Sequence, residues 1–162
     1  TKKADLFISI HANASRNANA FGVETYFLNL TTDDESIAVA ARENATSEKN
    51  ISELQTILND LMRNAKVNES SRLATYVQDA LYTRLSRSYS RINNKGVKQA
   101  PFYVLLGAQM PSILVETSFI SNPRECRRLT DPEYQETICD GIINGVRRYV
   151  EQNRPTAALA PE

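Results

Sequence analysis

The possible folds of this chain are constrained most by two apolar, strand-sized runs, each of which leads into an ionisable side chain. Leu6–Ile10 leads into His11, and Ser112–Val115 leads into Glu116. Nearly continuous apolar runs of this length are typical of strands covered on both faces, as in α/β proteins. Ligands of open α/β sheets bind outside the carboxyl ends of the strands. The pattern therefore makes His11 and Glu116 candidate site residues at the ends of two strands.

The residue types alone leave a second interpretation open for both positions. A carboxylate that leaves a buried strand is costly unless it is paired, hydrogen-bonded or facing a metal. A structural role would make His11 a hydrogen-bonded core histidine and Glu116 a cap for a helix starting near Asn122. Only the sequence around the two residues separates these interpretations.

Strand-like and helix-like segments alternate along the chain, which favours an α/β fold. We expect a mainly parallel, twisted sheet flanked by helices on both faces. Two further strands are predicted at Val23–Leu28 and Phe102–Leu106, with Gly96–Lys98 in a loop. Helices are predicted from the caps at residues 31–34 to about Ala45, then at Asn50–Ala65, Ser70–Arg87 and Pro132–Gln152. The tail, residues 153–162, is predicted to be disordered.

The composition excludes several classes of protein. The 19 basic and 19 acidic residues cancel, which argues against a nucleic-acid binder. The apolar runs fall short of the ~20 residues that a membrane span needs. The chain has one histidine, so any metal site within it combines that histidine with carboxylates. Its two cysteines fit no zinc-binding spacing, and the sequence leaves open whether they pair.

Several ordered blocks resemble the zinc-dependent N-acetylmuramoyl-L-alanine amidases of the bacterial cell wall (amidase type 3). The resemblance covers most of residues 4–152 apart from the stretch near 33–69. It is strongest in the last block, Met-Pro-Ser-Ile-Leu-Val-Glu-Thr-Ser-Phe-Ile-Ser-Asn. The blocks are Ser9–Ala14, Gly22–Tyr26, Ser71–Ala74, Lys95–Lys98, Phe102–Leu105 and Met110–Asn122.

The resemblance implies a zinc hydrolase that cleaves the amide bond between N-acetylmuramic acid and the L-alanine of the stem peptide. In that family the histidine of the first block is a zinc ligand, here His11, and the glutamate of the last block is catalytic, here Glu116. Asn13 and Asn122 are expected contacts in a substrate groove. The family's other zinc ligands, a histidine and a glutamate, are expected before Thr1, and nothing here replaces that histidine. Glu24 and Glu43 could ligate zinc in principle, but two carboxylates with one imidazole would be a weak zinc set. We therefore expect residues 1–152 to be the C-terminal part of a catalytic domain whose N-terminal strands are missing.

Residues from about 33 to 69 exceed the short link of minimal family members. Some relatives that act in cell separation carry a helical insert that covers the zinc site until an activator, often of the LytM type, displaces it. Glu43 is the first candidate for an insert glutamate near the metal, and Glu53 is the second. The alternative is an ordinary packed helical pair with solvated glutamates.

The resemblance implies a location in the periplasm or the cell envelope, with peptidoglycan as the partner. A second hypothesis remains beside the amidase. The chain would then be a catalytically incomplete relative, or a fragment, that binds peptidoglycan or a cell-division partner.

Overall fold

The computed structural model describes residues 3–51 and 66–153 of the chain. Four strands are present: β1 (Phe7–Asn13), β2 (Val23–Leu28), β3 (Asn94–Ala100) and β4 (Ser112–Phe119). The helices within these described ranges are α1 (Asp34–Glu43), α2 (Val67–Ser88), α3 (Pro123–Leu129) and α4 (Pro132–Gln152). Residues 48–51 are also helical, and a short 3₁₀ helix spans Tyr103–Leu105.

The four strands form one mixed sheet in the order β1-β4-β2-β3. The outer pairs, β1 with β4 and β2 with β3, are parallel, whereas the central pair, β2 with β4, is antiparallel. The predicted α/β class is thus confirmed, and the sheet is mostly parallel with one antiparallel pair at its centre.

Apolar clusters cover both faces of the sheet. On one face, α2 packs on the sheet and α4 packs on α2, around side chains such as Phe27, Val77 and Val115. On the other face, α1 and the 3₁₀ helix pack over Tyr26 and Leu114. Every residue of β2 and β4 is buried, so both strands are covered on both sides and their charged residues stand out.

The helix predictions are confirmed wherever the structure describes the residues. Helix α4 has the predicted bounds, with Asp131 as its N-cap and Pro132 in its first turn. Helix α1 begins after Asp33, whose side chain accepts a hydrogen bond from the Ser36 N–H at 2.9 Å. Most of the predicted helix 50–65 and the tail 154–162 lie outside the described residues.

Two predictions about the middle of the chain are wrong. Gly96–Lys98 belongs to strand β3, not to a loop. β3 lies at the sheet edge, where its polar, half-buried residues give no apolar signal. The predicted strand at residues 102–106 is the 3₁₀ helix, in which Phe102 turns inward and meets Tyr26 with ring centroids 5.0 Å apart.

The strands that carry the candidate site residues are longer than predicted. β1 continues to Asn13 and β4 continues to Phe119. His11 and Glu116 therefore lie within their strands and point to a face of the sheet instead of leaving its end. Both cysteines are free, and no described helix is long and apolar enough to cross a membrane.

We predict that Gly145→Ala destabilises the protein through the contact between α4 and α2. A Cβ at this position would lie 2.5 Å from the Cα of Val77 and 2.7 Å from the carbonyl oxygen of Tyr76. The clash should outweigh the ~1 kcal/mol that alanine gains over glycine in a helix, and unfolding in urea should show a net loss of about 1–3 kcal/mol. Asn144→Ala, at the exposed neighbouring position, is the control; equal stability of the two variants would contradict the prediction.

Candidate active site

Three ionisable side chains form a row across three neighbouring strands. His11 of β1 pairs with Glu116 of β4, and Glu116 pairs with Glu24 of β2. Side chains of register partners stand on the same face of a sheet. This row faces α1, because Tyr26 and Leu114, two residues from Glu24 and Glu116 respectively, belong to the cluster that α1 covers.

Both ring nitrogens of His11 have partners in the protein. Its Nδ1 lies 2.5 Å from Oε2 of Glu43 at the end of α1, and its Nε2 lies 2.8 Å from Oγ of Ser9. A carboxylate can only accept, so Nδ1–H donates to Glu43 and, in a neutral ring, Nε2 accepts from the Ser9 hydroxyl. The structure thus brings together two predicted site residues, His11 and Glu43.

Glu116 is fully buried, and among the described residues neither of its carboxylate oxygens has a hydrogen-bond partner. The pKa of Glu116 is raised to about 8, chiefly by burial and also by the charges of Glu43 and Glu24, with Arg42 acting in the opposite direction. A carboxyl group with this pKa exchanges its proton near neutral pH. It is therefore able to act as a general acid or base.

Glu24 is just as buried but is held on both of its oxygens. Oε1 accepts a hydrogen bond from Nδ2 of Asn13 at 2.6 Å, and Oε2 lies 3.0 Å from Nζ of Lys98. On the other side of the Asn13 amide, the Arg42 guanidinium donates to Oδ1 at 3.2 Å. A polar network therefore links α1 to the three strands β1, β2 and β3.

The two predicted groove residues use their side chains inside the protein. Asn13 is 1% exposed and binds Glu24 and Arg42. Asn122 caps α3 through the N–H groups of Arg124 and Glu125, and it donates to two backbone carbonyls of the loop before β2. Their contact with a substrate stays a prediction, and the structure gives each of them a bracing role. Glu53, the second candidate in the insert, lies outside the described residues.

The predicted site residues do not include Lys98, and Glu24 is considered only as a weak zinc ligand. Glu24 carries the same signal as Glu116, an acidic residue inside a buried strand, and that criterion would have found it. Lys98 gives no such signal, because β3 is polar. Its partnership with Glu24 depends on the pairing of β2 with β3, which a single sequence does not reveal.

An open groove of about 630 Å³ lies beside the site, between residues 14–16 and the C-terminal half of α1. Two guanidinium groups, of Arg16 and Arg42, line it. The groove begins directly after Asn13 in β1, and Arg42 links it to the polar network around Glu24.

The described residues do not form a complete metal site on their own. Residues 3–51 and 66–153 hold no group of three histidine, cysteine, aspartate or glutamate side chains arranged to bind a metal. A catalytic zinc usually has three protein ligands, and His11 is the only imidazole in the chain. The donor set therefore does not fit a complete zinc centre, and we derive no step through a metal.

The family model described as N-acetylmuramoyl-L-alanine amidase matches residues 1–148. The chain belongs to this family. Its members are cell-envelope hydrolases of peptidoglycan and are typically zinc-dependent. The match covers all of the sheet and nearly all of α4, so the amidase family predicted from the sequence blocks is confirmed.

Similar curated proteins include two bacterial relatives. The uncharacterized protein YqiI of Bacillus subtilis is 35% identical over 93% of this chain and 53% of its own length. N-acetylmuramoyl-L-alanine amidase AmiA of Salmonella typhimurium is 32% identical over 90% of this chain and 52% of its own length. The chain thus spans about half the length of these relatives.

Solved amidase structures share the fold. The CwlD amidase of Clostridioides difficile, in complex with the GerS lipoprotein, matches with a TM-score of 0.64 and 25% identity, over 93% of this chain and 57% of CwlD. An N-acetylmuramoyl-L-alanine amidase from Clostridium difficile 630 matches with a TM-score of 0.63 and 26% identity, over 93% and 60% of the two chains.

We predict that the stability of the protein falls between about pH 4.5 and pH 8 because of Glu116. Its pKa is raised from 4.5 to about 8 in the folded state, so the folded state binds more protons than the unfolded state in this window. The contribution of Glu116 to the free energy of unfolding is therefore fully present below pH 4.5 and is lost as the pH rises through 8. Glu116→Gln should therefore unfold like the parent near pH 4.5 and be about 2–4 kcal/mol more stable at pH 8.

Urea unfolding in the presence of EDTA at both pH values measures this difference without a bound metal. Glu136→Gln, at an exposed position of α4, is the control and should show no pH-dependent gain. If the free energies of unfolding of the parent and of Glu116→Gln change in parallel with pH, Glu116 does not have the raised pKa.

Proposed function

We propose that this chain carries part of the active centre of a zinc-dependent peptidoglycan amidase. The bond cleaved is the amide between N-acetylmuramic acid and the L-alanine of the stem peptide. Glu116 is the proposed catalytic carboxyl group and His11 the proposed zinc ligand. Membership of the amidase family supports the reaction class, and the row of His11 and Glu116 supports the two roles.

The carrying observation is the fully buried Glu116 carboxyl group with no hydrogen-bond partner among the described residues. An unpaired buried carboxyl group lowers the stability of the fold, which favours a functional role for it toward a bound ligand. In its ionised form Glu116 would take a proton from an attacking water, and the protonated carboxyl group would then give that proton to the leaving amine.

The contact between Glu43 and His11 supports an autoinhibited state. Glu43 occupies one ring nitrogen of His11, and α1 packs over the face that carries the row. Removal of Glu43 from His11 is the proposed activation step, and a LytM-type activator is the proposed partner. A location in the periplasm or outside the cell, and a role in cell separation, belong to the same proposal.

One observation favours the second candidate function, a catalytically incomplete relative or fragment that binds peptidoglycan or a cell-division partner. The described residues lack a three-ligand metal set. A binding module has no need of an unpaired carboxyl group, however, so Glu116 argues for the enzyme.

We predict that this chain, when joined to the family's remaining zinc ligands, binds about one zinc ion and releases stem peptides from peptidoglycan. Elemental analysis measures the metal, and mass spectrometry of the soluble products identifies peptides that begin with L-alanine. Glu116→Gln should keep the fold and lose the hydrolysis by at least ~100-fold, in line with the loss of a general base. Pull-down of peptidoglycan without zinc and without hydrolysis would instead establish the binding function.

Glu43→Ala should raise the hydrolysis rate in the absence of any activator if the Glu43–His11 contact is inhibitory. Asp34→Asn is the matched control, because it removes an acidic charge from the exposed first turn of the same helix. Equal rates for Glu43→Ala and the parent would overturn autoinhibition and leave the amidase proposal in place.

A further inference from the structure

We propose that Lys98, acting through Glu24, is a positioning residue for Glu116. The proposal rests on the proposed function only in naming Glu116 as the catalytic group. Its basis is geometric: Glu24 and Glu116 lie directly opposite each other in the antiparallel pair of β2 and β4, and both are fully buried.

The two neighbouring carboxyl groups have opposite surroundings. Glu24 has a donor or cation on each oxygen, Asn13 on one and Lys98 on the other. The oxygens of Glu116 have no hydrogen-bond partner among the described residues. Glu24 is therefore fixed in place directly opposite Glu116, whose side chain has no hydrogen bond of its own among the described residues, so the position of Glu24 limits where the Glu116 carboxyl group can lie.

Lys98 is the cation that keeps this arrangement. Its Nζ lies between two carboxylates, 3.0 Å from Glu24 and 2.9 Å from Glu35 in the first turn of α1. Without Lys98, Glu24 would be a buried carboxylate with a single amide donor, which is a strongly unfavourable state. Turning toward Glu116 to share a proton would relieve it, and that movement would draw Glu116 away from His11.

The neighbouring Lys95 provides a matched comparison on the same strand. Its Nζ lies 2.6 Å from Glu35. The contacts of the two lysines hold the pKa of Glu35 at about 2. Only Lys98 also contacts Glu24. Lys95→Met therefore removes a contact with α1 and the contact of its Nζ with the Phe119 ring, 5.7 Å from the ring centroid, but none with Glu24. Glu35→Gln removes the charge that both lysines contact in α1. Lys98→Met removes one contact with α1 and the contact with Glu24.

The test follows the carboxyl carbon of the Glu116 side chain by ¹³C NMR in the purified full chain. Its resonance is assigned by its absence from Glu116→Gln. We expect Lys98→Met to move this resonance by more than the line width, and Lys98→Arg, Lys95→Met and Glu35→Gln to leave it in place. An unmoved resonance in Lys98→Met, or an equal movement in Lys95→Met or Glu35→Gln, would overturn the proposal.

A Glu24→Gln background tests whether Lys98 acts through Glu24. In this background Lys98→Met should no longer move the Glu116 resonance, because no buried charge is left unpaired. A movement as large as in the parent would overturn the route through Glu24. If Lys98→Met does not fold, as thermal unfolding would reveal, Lys98→Gln takes its place because it keeps an amide donor without the charge.

Kinetics separate this proposal from the proposed function. For hydrolysis of peptidoglycan, Lys98→Met should lower kcat on the order of 10- to 100-fold with an unchanged KM, and Lys98→Arg should restore most of the rate. A change in KM alone would contradict a positioning role. If the parent hydrolyses nothing while the NMR pattern holds, the amidase assignment fails and the placement of Glu116 by Lys98 stands.

Discussion

Two carboxyl groups facing each other inside a sheet impose the main physical constraint on this molecule. Like charges opposite each other in an antiparallel pair are destabilising, and burial makes each of them costlier. The protein treats Glu24 and Glu116 unequally. Asn13 from β1 and Lys98 from β3 both reach Glu24, whereas Glu116 has no partner among the described residues. The strand order β1-β4-β2-β3 makes this possible, because it places a strand on each side of the central pair.

Helix α1 serves the fold and the site at once, which limits how the site can open. Its middle residues Val39 and Ala40 are buried in the cluster that contains Tyr26, so lifting the whole helix would expose part of the core. Directly after the helix, the side-chain amide of Asn44 is bound to the backbone at both ends. Its Nδ2 donates to the carbonyl oxygen of Pro101, and its Oδ1 accepts from the N–H of Tyr103. The Glu43 side chain, in contrast, can leave His11 by rotating about its own side-chain bonds. Release of His11 therefore costs least through movement of that side chain, with α1 in place.

The fold class and the central strands can be predicted from the sequence, because strands buried on both faces contain runs of apolar residues. The same contrast identifies His11 and Glu116, since a charged residue stands out in such a run. This contrast does not identify β3, because an edge strand can consist of polar residues. It also does not identify the 3₁₀ helix, because its apolar residues, such as Phe102 and Leu105, give the same sequence pattern as a strand. The partnership of Lys98 with Glu24 depends on register between strands far apart in the sequence, and local patterns do not encode it. The sequence predicts which residues are unusual, and the structure supplies their partners.

The absence of a partner for Glu116 among the described residues connects the fold with the family. A structural carboxyl group at this position would be expected to resemble Glu125, which is also fully buried but accepts hydrogen bonds from the N–H groups of Gly22 and Phe119. The chain satisfies both oxygens of the buried Glu125, and at Glu24 it places Asn13 on one oxygen and the Lys98 ammonium 3.0 Å from the other. Glu116 has no such partner among the described residues, although His11 and Glu43 meet beside it on the same face. This contrast within one molecule supports the proposal that Glu116 acts on a bound species in amide hydrolysis.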